Sequence, residues 1–197
     1  MSFDDFPPRL IGGRLCLDFA NTANWDGDEI IDEKLATPAH VVLWARHAGL
    51  AIRRGGHADA GALAQLRVLR ADLRRLFVGA AAGAKPGRAA IARLNDLLAR
   101  RGDRLRLTAG GGRIRHEATP DLFDAIGLPV AVSAIDLLTS PELGRVRMCP
   151  AGRCAWLFVD HSRNGTRRWC SMADCGNRAK ARQHYQRSKG AGRQHLG

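Results

Sequence analysis

The chain has 197 residues, a formal net charge of +12 and a sequence pI near 10.8, with 45% hydrophobic and 25% charged residues. These proportions are ordinary for a globular protein and exclude wholesale disorder, and the length suits one main domain plus a small module. No stretch approaches the ~18–20 apolar residues that span a bilayer. The opening Met-Ser-Phe-Asp-Asp-Phe-Pro-Pro lacks the basic start and apolar run of a secretion signal, so a cytoplasmic, nucleoid-associated protein with no membrane partner is expected. The abundance of Ala, Arg and Gly hints at a GC-rich bacterial source. Charge is uneven: residues 1–144 carry 19 Lys+Arg against 17 Asp+Glu, whereas residues 145–197 carry 12 against 2. A nearly neutral body joined to a strongly basic tail points to a polyanionic partner, nucleic acid first, with a merely solvated basic surface as the alternative.

In chain order, Gly13–Phe19 reads as a short strand because Leu15, Leu17 and Phe19 alternate. The polar stretch Asn21 to Glu33 reads as a loop. Thr37 with Pro38 starts a helix that Gly49 ends, a hydroxyl cap followed by proline at the first helical position. Leu63, Leu66, Leu69, Leu73, Leu76 and Phe77 recur at three- and four-residue intervals and predict a helix over about 59–82. Lys85-Pro86-Gly87 breaks it. A helix over about 87–101 follows, carrying Ile91, Leu94, Leu97 and Leu98 and closed by Gly102. Residues 104–108 and 113–117 alternate on either side of a glycine-rich turn and predict a hairpin. A helix over 121–138 turns Leu122, Ile126, Val130 and Leu137 inward, with Pro129 kinking or splitting it. Residues 140–144 read as a hinge. The expected fold is therefore α+β: a helix-rich domain with a small hairpin over 1–144, then a C-terminal module over 145–197.

That module carries the most specific signal. Cys149, Cys154, Cys170 and Cys175 form two C-x4-C pairs separated by fifteen residues. In a reducing compartment such pairs are metal ligands rather than disulfides, and four thiolates suit one structural Zn2+ with no open position for a catalytic water. His161 competes for a ligand place, but as a turn residue it is expected to stay exposed. Cys16, in an apolar run, reads as a core residue. Pro150 and Gly152 let a knuckle turn sharply. Trp156–Val159 and Thr166–Cys170 are expected to pair as a hairpin across Asn164-Gly165, and a helix over about 174–188 to begin at the last ligands. Knuckle, hairpin and helix is a treble-clef-like layout, and bound zinc would offset the small core of such a segment.

The run Trp169-Cys170-Ser171-Met172…Cys175-Gly176-Asn177-Arg178, with Cys149…Cys154, Phe158-Val159-Asp160, Ser162-Arg163 and Arg167-Arg168, resembles the CGNR zinc finger. Gly13 to Thr22, Leu35 and Trp44 to Leu50 resemble the opening of the ABATE domain that precedes this finger, a domain proposed to regulate transcription under stress. The resemblance implies zinc binding and transcriptional control.

The candidate nucleic-acid contacts are Arg167, Arg168, Asn177, Arg178, Lys180, Arg182, Arg187 and Lys189, basic or amide side chains on and before the last helix. Asn177 and Arg178 also suit a structural role, tying the helix start to the zinc loops. In the body, Asp18, Asn21 and Thr22, with Asn24, either line a pocket for an unknown small-molecule effector or cap the turn after the first element. Trp25 and Trp44 read as core or interface residues. Residues 1–144 contain no P-loop, G-x-S-x-G or H-E-x-x-H, so no enzyme is expected. The reading is a zinc-dependent regulator binding duplex DNA, its body sensing a ligand or forming a homodimer. The alternatives are an RNA-binding, ribosome-associated protein and a protein-interaction adaptor.

Overall fold

The computed structural model describes residues 7–52, 60–99, 105–110, 113–118 and 122–192. The body is mostly helical with two small antiparallel sheets, and a third two-stranded sheet belongs to the C-terminal module. Its elements are α1 (Leu15–Ala20), β1 (Ala23–Asp26), β2 (Glu29–Glu33), α2 (Pro38–His47), α3 (Ala60–Ala81), α4 (Arg88–Ala99), β3 (Leu105–Gly110), β4 (Arg113–Ala118) and α5 (Leu122–Leu138). The module adds β5 (Val146–Met148), β6 (Leu157–Val159) and α6 (Asn177–Gly192). Where sequence signals are long or chemically explicit, structure follows them. Thr37 caps α2 by accepting from the His40 amide, and Gly49 takes φ +76° beyond its end. The leucine series of α3 is buried throughout. The β3–β4 hairpin forms with Leu105 opposite Ala118 and Gly110 opposite Arg113. Gly102 and the end expected for α4 lie outside the described residues.

Two expectations fail in the first forty residues. Leu15–Ala20 is a helix, not a strand. Cys16, Leu17, Phe19 and Ala20 are buried, while Leu15 and Asp18, three residues apart, are half-buried, so exposure follows a helical turn and not the alternation of a strand. Asp18 sits in its first turn and accepts the Gly12 and Ile11 amides, which satisfies backbone just before the helix; burial pushes its carboxyl up to about 6. The second correction is the loop over 21–33, which folds as the β1–β2 hairpin, with Gly27 at φ +59° in its turn. Asp26 stands opposite Glu29, so Gly27-Asp28 makes the two-residue turn, a glycine-first pair suited to such hairpins, and the surrounding polar residues mask it. Pro129 lies inside α5, which continues as one helix from Leu122 to Leu138. Most of residues 140–144, expected as a hinge, falls in a 3-10 turn, Pro141–Arg145, capped by Ser140, and Glu142 is ion-paired with Arg14.

One core runs through both parts of the chain. Leu66, Leu73 and Phe77 of α3, Phe19 of α1 and Val130 and Leu137 of α5 are buried in the same cluster as Val146, Leu157 and Val159. Trp44 packs against Phe19 with ring centroids 5.2 Å apart. Strand β6 is held on both edges. Toward β5, Val159 is in register with Val146 and Met148 with Leu157, and the Asp160 amide donates to the Arg145 carbonyl. Toward the body, the Val159 amide donates to the Gly12 carbonyl, while the Asn21 carboxamide accepts from the Leu157 amide and donates to its carbonyl, both at 2.8 Å. Asn21 thus serves as a one-residue strand partner. Gly12 leaves no room for a side chain: a Cβ there would lie 2.8 Å from the Leu17 Cβ and 3.0 Å from the Asp18 amide nitrogen. Gly12→Ala is expected to lower stability by about 1–3 kcal/mol through overpacking, read from the urea midpoint.

Candidate metal centre and its basic helix

Because both edges of β6 are occupied, Thr166–Cys170 cannot pair with it, and the hairpin expected there is absent; β6 pairs with β5 around the knuckle instead. The Asn164-Gly165 turn does form, with Gly165 at φ +63°. Asp160 organises the return: its carboxylate accepts the Ser162 amide at 2.8 Å and the Arg167 amide at 3.0 Å. Burial opposes ionisation of Asp160, but these hydrogen bonds and the charge of Arg145 prevail and hold its carboxyl below the usual range. A one-turn π-helix, Met172–Gly176, is capped by Ser171 and leads straight into α6.

These turns bring Cys149, Cys154, Cys170 and Cys175 together, with all four sulfurs buried and within 4.8 Å of one another. Cys170 Sγ lies 3.6 Å from both Cys154 Sγ and Cys175 Sγ. A tetrahedral zinc with sulfur at about 2.3 Å requires sulfur–sulfur edges of about 3.8 Å, whereas a disulfide requires about 2.05 Å. The spacing is that of a metal shell. Four sulfurs this close cannot all carry negative charge unaided. Hydrogen bonding from Cys154 brings Cys149 down to about 7, and contacts led by Cys149 push Cys175 down and both Cys154 and Cys170 up. A divalent cation at the centre removes that conflict, so the four residues form one structural zinc site. His161 is half-exposed and stands near Glu142, its Nδ1 3.8 Å from the carboxylate.

Around the sulfurs, Trp156 and Phe158 complete a small core, with Ile11 and Trp169 packed against it. Arg178 donates to Cys175 Sγ at 3.2 Å. Arg167 is occupied in the same region: its guanidinium donates to the carbonyls of Trp169 and Cys170 and stands 4.4 Å over the Phe158 ring. Asn177 donates to the Ala173 carbonyl and remains exposed. Arg168 is exposed, with its guanidinium 5.6 Å from the Trp169 ring centroid. From Lys180 to Lys189 every residue of α6 is exposed, including Arg182 and Arg187. The eight basic and amide candidates therefore separate into Arg167, Asn177 and Arg178, engaged with the zinc loops, and an open set of Arg168, Lys180, Arg182, Arg187 and Lys189.

The knuckle also meets the body. Arg153 and Ala155 adopt φ +62° and +49°, a left-handed conformation costing side-chain-bearing residues about 1–2 kcal/mol each. Arg74 of α3 donates to the Ala155 carbonyl at 2.9 Å and to the Gly27 carbonyl at 3.2 Å, and lies 4.3 Å over the Trp25 ring. Burial pushes its guanidinium down to about 10, against the charges of Asp28 and Cys154. The Trp156 indole donates to the Ala23 carbonyl. Sequence reasoning missed Arg70 and Arg74. The available signal was their position: they share the buried face of α3 with Leu66, Leu73 and Phe77, where an arginine must find partners.

Asp18, Asn21 and Thr22 are each hydrogen-bonded within the fold. Asp18 and Asn21 bind backbone as described, and the Thr22 hydroxyl donates to the Phe19 carbonyl and accepts from Arg70. A cavity of about 440 Å³ lies elsewhere, lined by Val68, Leu69, Arg93, Leu97 and Phe123 among others. No helix among the described residues is long and apolar enough to cross a membrane.

A family model described as "ABATE: Putative stress-induced transcription regulator" matches residues 13–141, and the CGNR zinc finger model matches residues 145–188. No curated protein matches the chain. With two thirds of its length matched by the first model and its four-cysteine centre inside the second, the chain belongs to the ABATE family and carries a C-terminal CGNR zinc finger.

Proposed function

We propose that the protein is a non-enzymatic DNA-binding regulator of transcription, in which the zinc module presents α6 to duplex DNA. The observation carrying this reading is a helix exposed from Lys180 to Lys189, bearing Lys180, Arg182, Arg187 and Lys189 and no acidic residue. At about 1.5 Å per residue its 16 residues extend about 24 Å, enough to follow a major groove with cations toward both phosphate walls. Arg168 adds a contact at the helix approach. Arg167 and Arg178 act indirectly, by fixing the zinc loops that aim the helix. In this reading the protein works in the cytoplasm, at the nucleoid, and the body either pairs with a second copy or senses an effector. The cavity beside α3 and α4 supports sensing.

Duplex DNA is expected to bind in preference to structured RNA, with affinity falling steeply as salt rises. Replacing Lys180, Arg182, Arg187 and Lys189 together with alanine should flatten the slope of log K against log salt by about 0.9 for each phosphate no longer neutralised, with zinc content unchanged. An unaltered slope excludes α6 as the DNA-binding element, and a preference for RNA transfers the reading to a ribosome-associated protein. Recovery of bound DNA from cells distinguishes regulation from general coating: discrete sites are expected, and a flat profile overturns the proposal.

A further inference from the structure

The knuckle that carries Cys154 is held by groups of the body. A zinc ion with four thiolates carries a net charge of about −2, and sulfur buried this deeply needs cationic or hydrogen-bonding neighbours. On one side Arg178, three residues after the last ligand, donates to Cys175 Sγ. On the other side a cation of the body reaches the knuckle: Arg74, eighty residues before Cys154, donates to the Ala155 carbonyl next to that ligand at 2.9 Å. This contact falls where the backbone is left-handed at both Arg153 and Ala155, the part of the knuckle least able to hold its shape alone. Body backbone reinforces it: the Trp25 amide donates to the Cys154 carbonyl at 3.4 Å, and the Trp25 ring supports the Arg74 guanidinium from below.

We propose that Arg74 is a positioning residue of the zinc site, with Trp25 as its support, so that the body and the finger form one zinc-dependent folding unit. Zinc retention then depends on α3 and the β1–β2 hairpin, and by reciprocity loss of zinc loosens both. This inference does not rest on DNA binding and holds whether α6 meets DNA, RNA or protein.

The test uses the full, zinc-loaded chain challenged with excess chelator. Arg74→Met is expected to release zinc about 10–100-fold faster, the range typical when a partner of a metal ligand is removed. Arg74→Lys keeps the charge but not the fork and should fall between. Leu76→Ala opens a cavity on the same helix but faces α4 beside Leu73 and Leu94, and should release zinc at close to the wild-type rate. With cobalt(II) in place of zinc, the thiolate charge-transfer band should shift in Arg74→Met and stay put in Leu76→Ala. Release from Arg74→Met no faster than from Leu76→Ala overturns the proposal. Should Arg74→Met not fold, hydrogen exchange on the wild type decides. Stripping zinc must then deprotect residues 23–33 and the part of α3 around Arg74 along with the knuckle, and retained protection there refutes the coupling.

Discussion

Cys170→Ser is expected to lose zinc, unfold the turns that carry the four cysteines and loosen the parts of the body packed against them. Cys170 lies within 3.6 Å of two other ligands, and its removal takes one vertex, with its three edges, from the tetrahedron. Structural zinc contributes about 10–16 kcal/mol apparent in small finger peptides, whereas the net stability of a whole domain is only about 5–15 kcal/mol. Even partial loss therefore exceeds what Trp156 and Phe158 can supply by burial. The measurements are metal content, expected to fall from one zinc per chain toward none, and near-ultraviolet circular dichroism, expected to lose the signal of the packed tryptophans. A variant that keeps stoichiometric zinc and its spectrum would mean that three sulfurs suffice. Acidification should act in the same direction, because protons compete with zinc for the thiolates.

The second large effect lies at Glu33. Arg70 is only 1% exposed, and its guanidinium donates to both Glu33 oxygens, to the Thr22 carbonyl at 3.1 Å and to the Thr22 hydroxyl at 3.3 Å. Glu33→Leu leaves that charge buried without its counterion, which costs about 3–5 kcal/mol. Replacing both partners, Arg70→Met with Glu33→Leu, should recover most of the loss, because a buried pair is stabilising mainly relative to a broken one. Urea midpoints of the two variants check this, and an equal loss in both would refute it. The pH dependence has a definite sign. Burial alone would raise the Glu33 carboxyl, but the hydrogen bond and charge of Arg70, the Leu35 amide and Arg67 prevail and hold it below 4.5. The folded state therefore binds the proton less tightly than the unfolded state. The contribution is fully present above about pH 4.5 and is lost as pH falls through the folded value. The stability gap between wild type and Glu33→Gln at equal zinc loading should narrow over that acidic range.

The zinc site was legible in the sequence because coordination chemistry is local and strict. Two C-x4-C pairs with Pro150 and Gly152 between the first two ligands allow few other readings, and the four sulfurs meet as that spacing requires. The helices α2, α3 and α5 were legible for a related reason: a long apolar stripe at helical period, or a hydroxyl cap followed by proline, specifies its own structure. The short elements were not. Leu15–Ala20 alternates like a strand but is mostly buried, and six residues are too few for periodicity to decide. Thr166–Cys170 has the composition of a strand, yet Gly12 and Asn21 already hold the edge it would need.

The polar residues divide the same way. Residue type alone could not separate Arg167 and Arg178, turned to the zinc loops, from Arg182 and Arg187, turned to solvent. Nor could it show that Asn21 substitutes for a strand partner, or that Arg74 reaches a knuckle eighty residues away. By itself the sequence determined the metal, its four ligands, the basic helix beyond them and the long helices of the body, because each depends on neighbours within a few turns of chain. Only the tertiary structure decided which strand pairs with which and which cations are already engaged, because those outcomes turn on carbonyls and edges contributed by distant segments.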